Sequence, residues 1–348
     1  MSDLKRPLQK NTTLETVARE AGVSLKSVSR VLNGEPCVSE KMRTKVQDAI
    51  AELGFKPNLA ARQLRGQRSY SLAVIYEPPA SEFLTGVLEG LLPVCRETSY
   101  KLVLEPLGAT EPRHHILNMI EGRTADGFIL LPPLSEDISL IKAIMEANCA
   151  VVLVESSLKI EDINTSISKV GIDDYTAGYE LGNHFIRCGH KRIGYIGLRE
   201  QHITANRRGE GLKAAMSDAG IDLNNFLHEN GFSTFKSGFQ AANKLLSIEN
   251  PPTAIFAGND YMAAGAIACA TQRGFTFPED ISIAGFDGAD LSEMFVPPFT
   301  TVKQPLKDYG DWAAKQLLRA IALPEERGVE VLFPHKLIAR NSVKIISE

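Results

Sequence analysis

The sequence predicts a small all-α head, a short linker, and an α/β body of two doubly wound parallel-sheet subdomains. Three observations carry that expectation. Residues 13–33 read as two short helices joined by a glycine turn. From residue 71 onward, short apolar runs alternate with amphipathic helical stretches. Charge is also divided unevenly along the chain. Residues 1–66 hold 12 Lys and Arg against 7 Asp and Glu, a net of +5, whereas the remainder holds 26 against 35, a net of −9. A basic head on an acidic body is the distribution expected when only the head meets phosphates. At 348 residues the chain is too long for one compact core and calls for two or three domains.

In the head, Leu14, Val17, Ala18 and Ala21 recur at three- and four-residue spacing, one face of a helix. Gly22 tolerates positive φ, and Ser24 is a ready N-cap for a second helix whose Val28, Val31 and Leu32 face the first. Leu25, Lys26, Ser29 and Arg30 then point outward, a mostly polar and basic surface. On spacing alone this is either a helix-turn-helix, whose second helix enters a major groove, or an ordinary αα-hairpin. After the loop Gly34-Glu35-Pro36, Ser39 caps a third helix running to about Leu53, with Val46, Ile50 and Leu53 inward, Gly54 as its stop and Phe55 closing the core. Residues 1–11 are polar and read as disordered. Leu59 to Arg65 has room for one more short helix, but seven residues do not hold a helix in isolation, so a flexible linker is the plain reading.

In the body the expected strands are Leu72–Tyr76, Leu102–Glu105, Gly127–Leu131 and Val151–Val154, then Val170–Ile172, Ile193–Ile196, Ala254–Ala257 and Ile281–Phe286. Helical stretches such as Phe83–Glu97 and Ile138–Ala147 lie between them. Buried apolar strands alternating with helices indicate parallel sheets, and two such series indicate two similar subdomains. A small ligand is expected in the cleft between them, beside the carboxyl ends of the strands. Three polar positions fall where that cleft should be: Gly258-Asn259-Asp260 after one strand, Asp287 after another, and Arg208 at the start of a helix. Asp260 serves equally as the N-cap of a helix over Met262–Thr271, Asp287 as a turn cap before Gly288, and Arg207 or Arg208 as surface charge. Together, on separate strand ends, they favour the cleft, and their carboxylate, amide and guanidinium groups suit vicinal hydroxyls. Phe83 and Phe232 are candidates for an apolar wall or for core.

Enzyme chemistry is not expected. Gly209-Glu210-Gly211-Leu212-Lys213-Ala214 fits GxGxxA, but charged residues rather than a strand precede it. No GxxxxGK[ST], HExxH or GxSxG occurs, and His114-His115 reads as a solvated helix start. Cys37, Cys95, Cys149, Cys188 and Cys269 show no metal spacing and read as reduced thiols, so no cofactor or metal is expected. With no apolar leader at the N-terminus and no run of 18 apolar residues, a cytoplasmic protein with no membrane partner is expected.

Ala-Gly-Val-Ser at 21–24, Val-Ser-Arg-Val-Leu-Asn at 28–33 and Pro-Asn-x-x-Ala-x-x-Leu at 57–64 closely resemble the lac repressor (LacI–GalR) family. That resemblance implies a transcriptional regulator whose DNA contacts come from Thr13, Ser24, Leu25, Lys26, Ser27, Ser29, Arg30, Asn33, Asn58, Ala61 and Leu64. It turns the linker into a hinge helix that orders on DNA and inserts Leu64 between base steps of the minor groove. It places effector contacts at Arg208, Asn259 and Asp287, with Ser135 and Gln304 as further pocket positions. The body resembles the periplasmic-binding-protein fold, in which the chain crosses between subdomains three times, here expected near 156–168, 299–304 and 324–329. The expected layout is therefore a helix-turn-helix domain at 1–56, a hinge at 57–66, and an effector-binding and dimerisation domain at 67–348. Its first subdomain covers about 67–156 and 304–326, its second about 157–303 and 327–348. The expected function is a repressor, a homodimer on a pseudo-palindromic double-stranded DNA operator, released by a carbohydrate-like effector. A purine-type co-repressor that strengthens DNA binding is the alternative, and a cytosolic sugar-binding protein a lesser one. Residues 343–348 follow the expected final strand and leave no room for a heptad segment, so a dimer rather than a tetramer is expected.

Overall fold

The computed structural model describes residues 12–32, 38–55, 68–78, 82–108, 112–159 and 166–346. The expected disordered start, the loop at 34–36, Cys37 and the hinge over 57–66 lie outside these residues. Two compact units are present, Met1–Arg68 and Ser69–Glu348.

The first unit is a three-helix core: α1 (Leu14–Glu20), α2 (Leu25–Leu32) and α3 (Glu40–Leu53). Val17, Val28 and Val46 are fully buried in it, and Phe55 closes it as expected. Thr13 and Thr16 form a reciprocal capping box at the start of α1, while the Ser27 N–H donates to Ser24 Oγ at 3.1 Å. Gly22 and Gly54 both hold positive φ, the second as the stop of α3. Ser39 stands at the start of α3, but its side chain makes no capping bond there.

The second unit contains a six-stranded parallel sheet ordered β11-β5-β4-β3-β1-β2 and a four-stranded parallel sheet ordered β7-β6-β8-β9. The strands of the first are β1 (Ser71–Tyr76), β2 (Lys101–Pro106), β3 (Gly127–Leu130), β4 (Ala150–Val154), β5 (Ser168–Gly171) and β11 (Glu330–Leu332). Those of the second are β6 (Ile193–Gly197), β7 (Phe226–Asn230), β8 (Ala254–Ala257) and β9 (Ser282–Ala284). An antiparallel pair, β10 (Thr301–Lys303) and β12 (Lys336–Ile338), accompanies them. The helices are α4 (Glu82–Thr98), α5 (Pro112–Glu121), α6 (Ile138–Glu146), α7 (Asp174–Arg187), α8 (Ile203–Asp218), α9 (Phe235–Leu245), α10 (Asp260–Gln272), α11 (Leu291–Met294) and α12 (Leu306–Ala322).

The alternation of strand side chains divides each sheet's residues between two cores. In β1, Leu72 and Val74 join the cluster that includes Leu91 of α4 and Leu317 of α12, while Ala73 and Ile75 join the cluster that includes Ile116 and Ile141 of α5 and α6. In the second sheet, Ala254 and Phe256 of β8 belong to one cluster and Ile255 and Ala257 to another. Sheets buried on both faces read in the sequence as unbroken apolar runs, which is why these strands were legible.

Subdomain membership differs from expectation. Strands β5 and β11 pair with each other and extend the first sheet, although both were expected in the second subdomain. The first crossing therefore comes between β5 and α7, the second after β10, and the third between β11 and β12. A short buried strand carries no mark of the sheet it joins, so its order in the chain was a poor guide. Strand β7 was not expected. It is an edge strand, half-exposed and rich in polar residues (FLHEN), without the apolar run that marked its neighbours. The last strand is β12, and residues 339–346 run beyond it without strand structure.

Helices α4 and α12 cross at Gly90 and Gly310. A Cβ on Gly310 would stand 1.9 Å from the Val87 carbonyl oxygen, and one on Gly90 would stand 1.9 Å from that of Lys307. Both partners are backbone, so relief requires the helices to separate. Gly310→Ala is expected to lower stability by about 1–3 kcal/mol, the usual range for overpacking. Urea unfolding followed by circular dichroism measures it, and an unchanged midpoint would contradict this account of the crossing.

Candidate functional site

Two surfaces held the expected functional residues. On the head, Val28 and Val31 bury one side of α2 and leave Leu25, Lys26 and Arg30 exposed, with Ser27 and Ser29 half-buried. The exposed side chains Thr13 and Ser24 cap their own helices, so their hydroxyls are held in place by backbone bonds. Asn33, Asn58, Ala61 and Leu64 lie outside the described residues. What is described is a short helix docked by its apolar face and presenting a lysine and an arginine outward.

On the body, a cavity of about 300 Å³ opens where the carboxyl ends of both sheets meet. Glu77 follows β1, Pro132 follows β3 and Glu155 follows β4; Arg199 comes just after β6, Phe232 after β7, Asn259 after β8 and Asp287 after β9, and all of them line it. Arg208, Asn259, Asp287, Phe83 and Phe232 are thus brought together as expected.

Arg208 lies within α8 rather than at its start, and its side chain is 7% exposed. Nε donates to Asp174 Oδ1 at 2.6 Å, Nη1 donates to the Gly258 carbonyl at 2.7 Å, and the guanidinium carbon sits 3.6 Å from the Phe286 ring centre. Asp287 Oδ1 stands 4.0 Å from Nη1. Asp287 itself is held at φ +108, a rare backbone state for a residue with a side chain. Burial pushes its carboxyl up to about 6, against the pull of Arg208. Glu155 also has positive φ, +51, and takes the Ile172 N–H on Oε1 at 3.2 Å. Burial first, and then the charge of Asp174, push the Glu155 carboxyl well above the usual carboxylate range.

Asn259, not Asp260, caps α10: its Oδ1 accepts the Met262 N–H at 2.8 Å, and its Nδ2 donates to the Ser233 carbonyl at 3.3 Å. Asp260 is fully buried and accepts from the Thr301 hydroxyl and the Ala289 N–H, both at 2.7 Å. Ser135 and Gln304 do not line the cavity but stand behind its wall. Ser135 Oγ donates to the Glu155 carbonyl at 3.0 Å. Gln304 Nε2 donates to Asp287 Oδ1 at 2.8 Å, and its Oε1 accepts from the Tyr309 hydroxyl at 3.3 Å. Both are small or amide side chains that fix a wall residue, a role that spacing does not separate from ligand contact.

Sequence reasoning missed Glu77, Glu155, Arg199 and His202. The first two directly follow apolar strands, the same signal that singled out Asp287. Arg199 pairs with Glu77 and lies 3.5 Å from His202 Nε2; burial, then the charges of Arg199 and Arg208, push the His202 imidazole down to about 4. The GxGxxA segment lies inside α8, where a Cβ on Gly211 would stand 2.0 Å from the Tyr175 carbonyl oxygen, so that glycine serves helix packing. Among the described residues no group of three metal-ligating side chains occurs, and no helix is long and apolar enough to cross a membrane.

Residues 13–58 match the family model described as bacterial regulatory proteins, lacI family, and residues 183–343 match the periplasmic binding protein-like domain. The chain is 33% identical to Catabolite control protein A of Priestia megaterium over 337 residues, covering 96% of this chain and 100% of that one. The lac repressor dimer bound to operator and the anti-inducer ONPF superposes with a TM-score of 0.76 at 26% identity, over 96% of this chain and 100% of that one. A complex of the transcriptional regulator CelR with cellobiose gives a TM-score of 0.71 at 28% identity, over 95% and 99%. The helix-turn-helix head, the two-sheet body and this identity along nearly the whole chain lead to one conclusion: the chain belongs to the lacI family of bacterial regulatory proteins, DNA-binding transcriptional regulators with an effector-binding body.

Proposed function

We propose that this protein is a transcriptional repressor that binds a pseudo-palindromic operator as a homodimer and is released when a sugar-like effector enters the cleft. The observation that carries this reading is the convergence of Arg208, Asn259 and Asp287 on one cavity at the strand ends, walled by Phe83 and Phe232. A guanidinium, an amide and a carboxylate offer paired donors and acceptors to vicinal hydroxyls, and aromatic faces suit the apolar face of a sugar ring. The likeness to a regulator solved with cellobiose and to a repressor solved on its operator supports both halves of the reading. No catalytic step is assigned to the cavity, and the site of action is the DNA of the cytoplasm.

The DNA contacts divide by role. Lys26, at the exposed start of α2, is positioned to read base edges, where a good contact is worth about 1–3 kcal/mol of discrimination. Lys26→Ala is expected to change which operators are preferred across a sequence library, and a uniform loss would reassign it to the phosphate backbone. Leu64 acts as a minor-groove wedge, so Leu64→Ala weakens operator binding while leaving random-sequence binding nearly intact, because the latter comes from phosphate charge. Equal losses on both DNAs restore the plain linker.

In the cleft, Arg208→Ala and Asp287→Asn are expected to give proteins that hold operator but no longer respond to effector, the first with a stability loss of about 3–5 kcal/mol because it strands the buried Asp174 carboxylate. A screen of sugars by thermal shift, followed by fluorescence anisotropy on labelled operator, checks both. Normal release in either variant removes that residue from the effector site. Light scattering on the body, residues 67–348, is expected to give a dimer at micromolar concentration, and a monomer or tetramer would overturn the assembly.

A further inference from the structure

The effector-site residues Arg208, Asn259 and Asp287 leave one part of the cavity wall without a role. Glu77, at the end of β1, and Arg199, just after β6, belong to opposite halves of the body, and their side chains form an ion pair across the cavity. Arg199 is 31% exposed and Glu77 15%. Beside them stand His202 and Thr204, each more than nine-tenths buried and each lining the cavity. Arg199 Nη2 stands 3.5 Å from His202 Nε2, a contact that favours the imidazole tautomer with its proton on Nδ1. The second imidazole nitrogen and the Thr204 hydroxyl have no hydrogen-bond partner among the described residues. The Thr204 N–H already acts on the Glu136 carboxyl of the other half, so the end of α8 has an acidic neighbour and is not itself the receptor. The side chains are. A guanidinium, an imidazole N–H and a hydroxyl on one wall make a donor-rich set with no negative charge of its own, and Glu77 supplies the only carboxylate bonded to it among the described residues.

We infer that Arg199, His202 and Thr204 form an anion-accepting subsite of the cleft, which the Glu77 carboxylate occupies as an internal ligand and which a carboxylate or phosphate group on the effector takes over. The inference rests on the cleft being the effector site. The local field agrees with it: the positive charges of Arg199 and Arg208 both act on the His202 imidazole and help hold it neutral. Displacement of Glu77 also removes an ion pair between the two halves of the body. An anionic effector thereby gains affinity from Arg199 and changes how the halves are held, whereas a neutral one leaves that pair in place.

Inorganic phosphate is the direct probe, titrated into the full-length protein at constant ionic strength and read by thermal shift. Glu77→Gln removes the internal competitor and is expected to lower the half-saturating phosphate concentration about tenfold, the scale of one charge-assisted hydrogen bond. Arg199→Ala is expected to raise it by a similar factor, and Arg199→Gln replaces it where the alanine variant does not fold. Coincident curves for wild type, Glu77→Gln and the Arg199 variant overturn the subsite, leaving the sugar reading untouched. The source of the anion is then separated with glucose, glucuronate and glucose 6-phosphate. A preference of wild type for either charged sugar over glucose, lost in the Arg199 variant, supports the inference and names the group. Equal stabilisation by all three overturns it. Phosphate that ranks the variants as expected while no sugar of a wide panel binds sinks the sugar reading and leaves the anion subsite standing.

Discussion

The buried guanidinium of Arg208 is the interaction on which the rest of the body's site depends. A lone charge in that position would be untenable, and Asp174 on α7 together with the Gly258 carbonyl at the end of β8 answers it directly. Stacking on Phe286 covers one face. The cost of this arrangement is asymmetric. Replacing the whole cluster with apolar groups can be neutral, but removing one partner strands the other charge and costs about 3–5 kcal/mol. Arg208 therefore fixes α7, α8 and the ends of β8 and β9 in one arrangement, and it crowds Glu155, Asp174 and Asp287 around a single cation. That crowding, with burial, is why the carboxyls of Glu155 and Asp287 both sit above their ordinary range.

Such a cluster needs helices at unusually close range. A Cβ on Gly178 of α7 would stand 2.1 Å from the Arg208 carbonyl oxygen, so a side chain there would push α8 and its guanidinium away from Asp174. Gly211 repeats the approach one turn on, against Tyr175. The glycines that imitate a dinucleotide fingerprint are in this way part of how the cavity is built. Their spacing reports how closely α8 packs on its neighbours, Gly211 against α7 and Gly209 against the Tyr195 ring of β6, not phosphate binding.

The architecture was legible because both sheets are covered on both faces, which writes strands such as Leu72–Ile75 and Ala254–Ala257 as continuous apolar runs. Strand β7 escaped because an edge strand has no such run, and β5 and β11 were assigned to the wrong half because pairing between distant segments leaves no local trace. At the site, polar residues directly after strands were the dependable signal. It gave Asn259 and Asp287, and applied evenly it would have given Glu77 and Glu155 as well. It does not distinguish neighbours: Asn259 and Asp260 are adjacent, yet one caps α10 on the cavity wall and the other is sealed against Thr301 and Ala289. Nor does it distinguish the wall from its support, as Ser135 and Gln304 show.

Gln304 connects the cavity to the way the body is joined. It sits where the chain leaves β10 for α12, at a crossing between the two halves, and it is bonded at once to Asp287 on the wall and to Tyr309, fully buried on α12. Any group that competes for Asp287 Oδ1 therefore acts on a bond held by the crossing segment itself. A ligand can shift an arrangement of two halves only if it binds one arrangement better than the other. Here that difference is available within a single side chain's reach of the ligand, because the wall residue is positioned by the segment that must move. The Arg199–Glu77 pair meets the same requirement from the other direction, since its two members come from different halves and hold only when those halves are together. Coupling in this body needs no long chain of contacts: a joint stands directly behind the cavity wall.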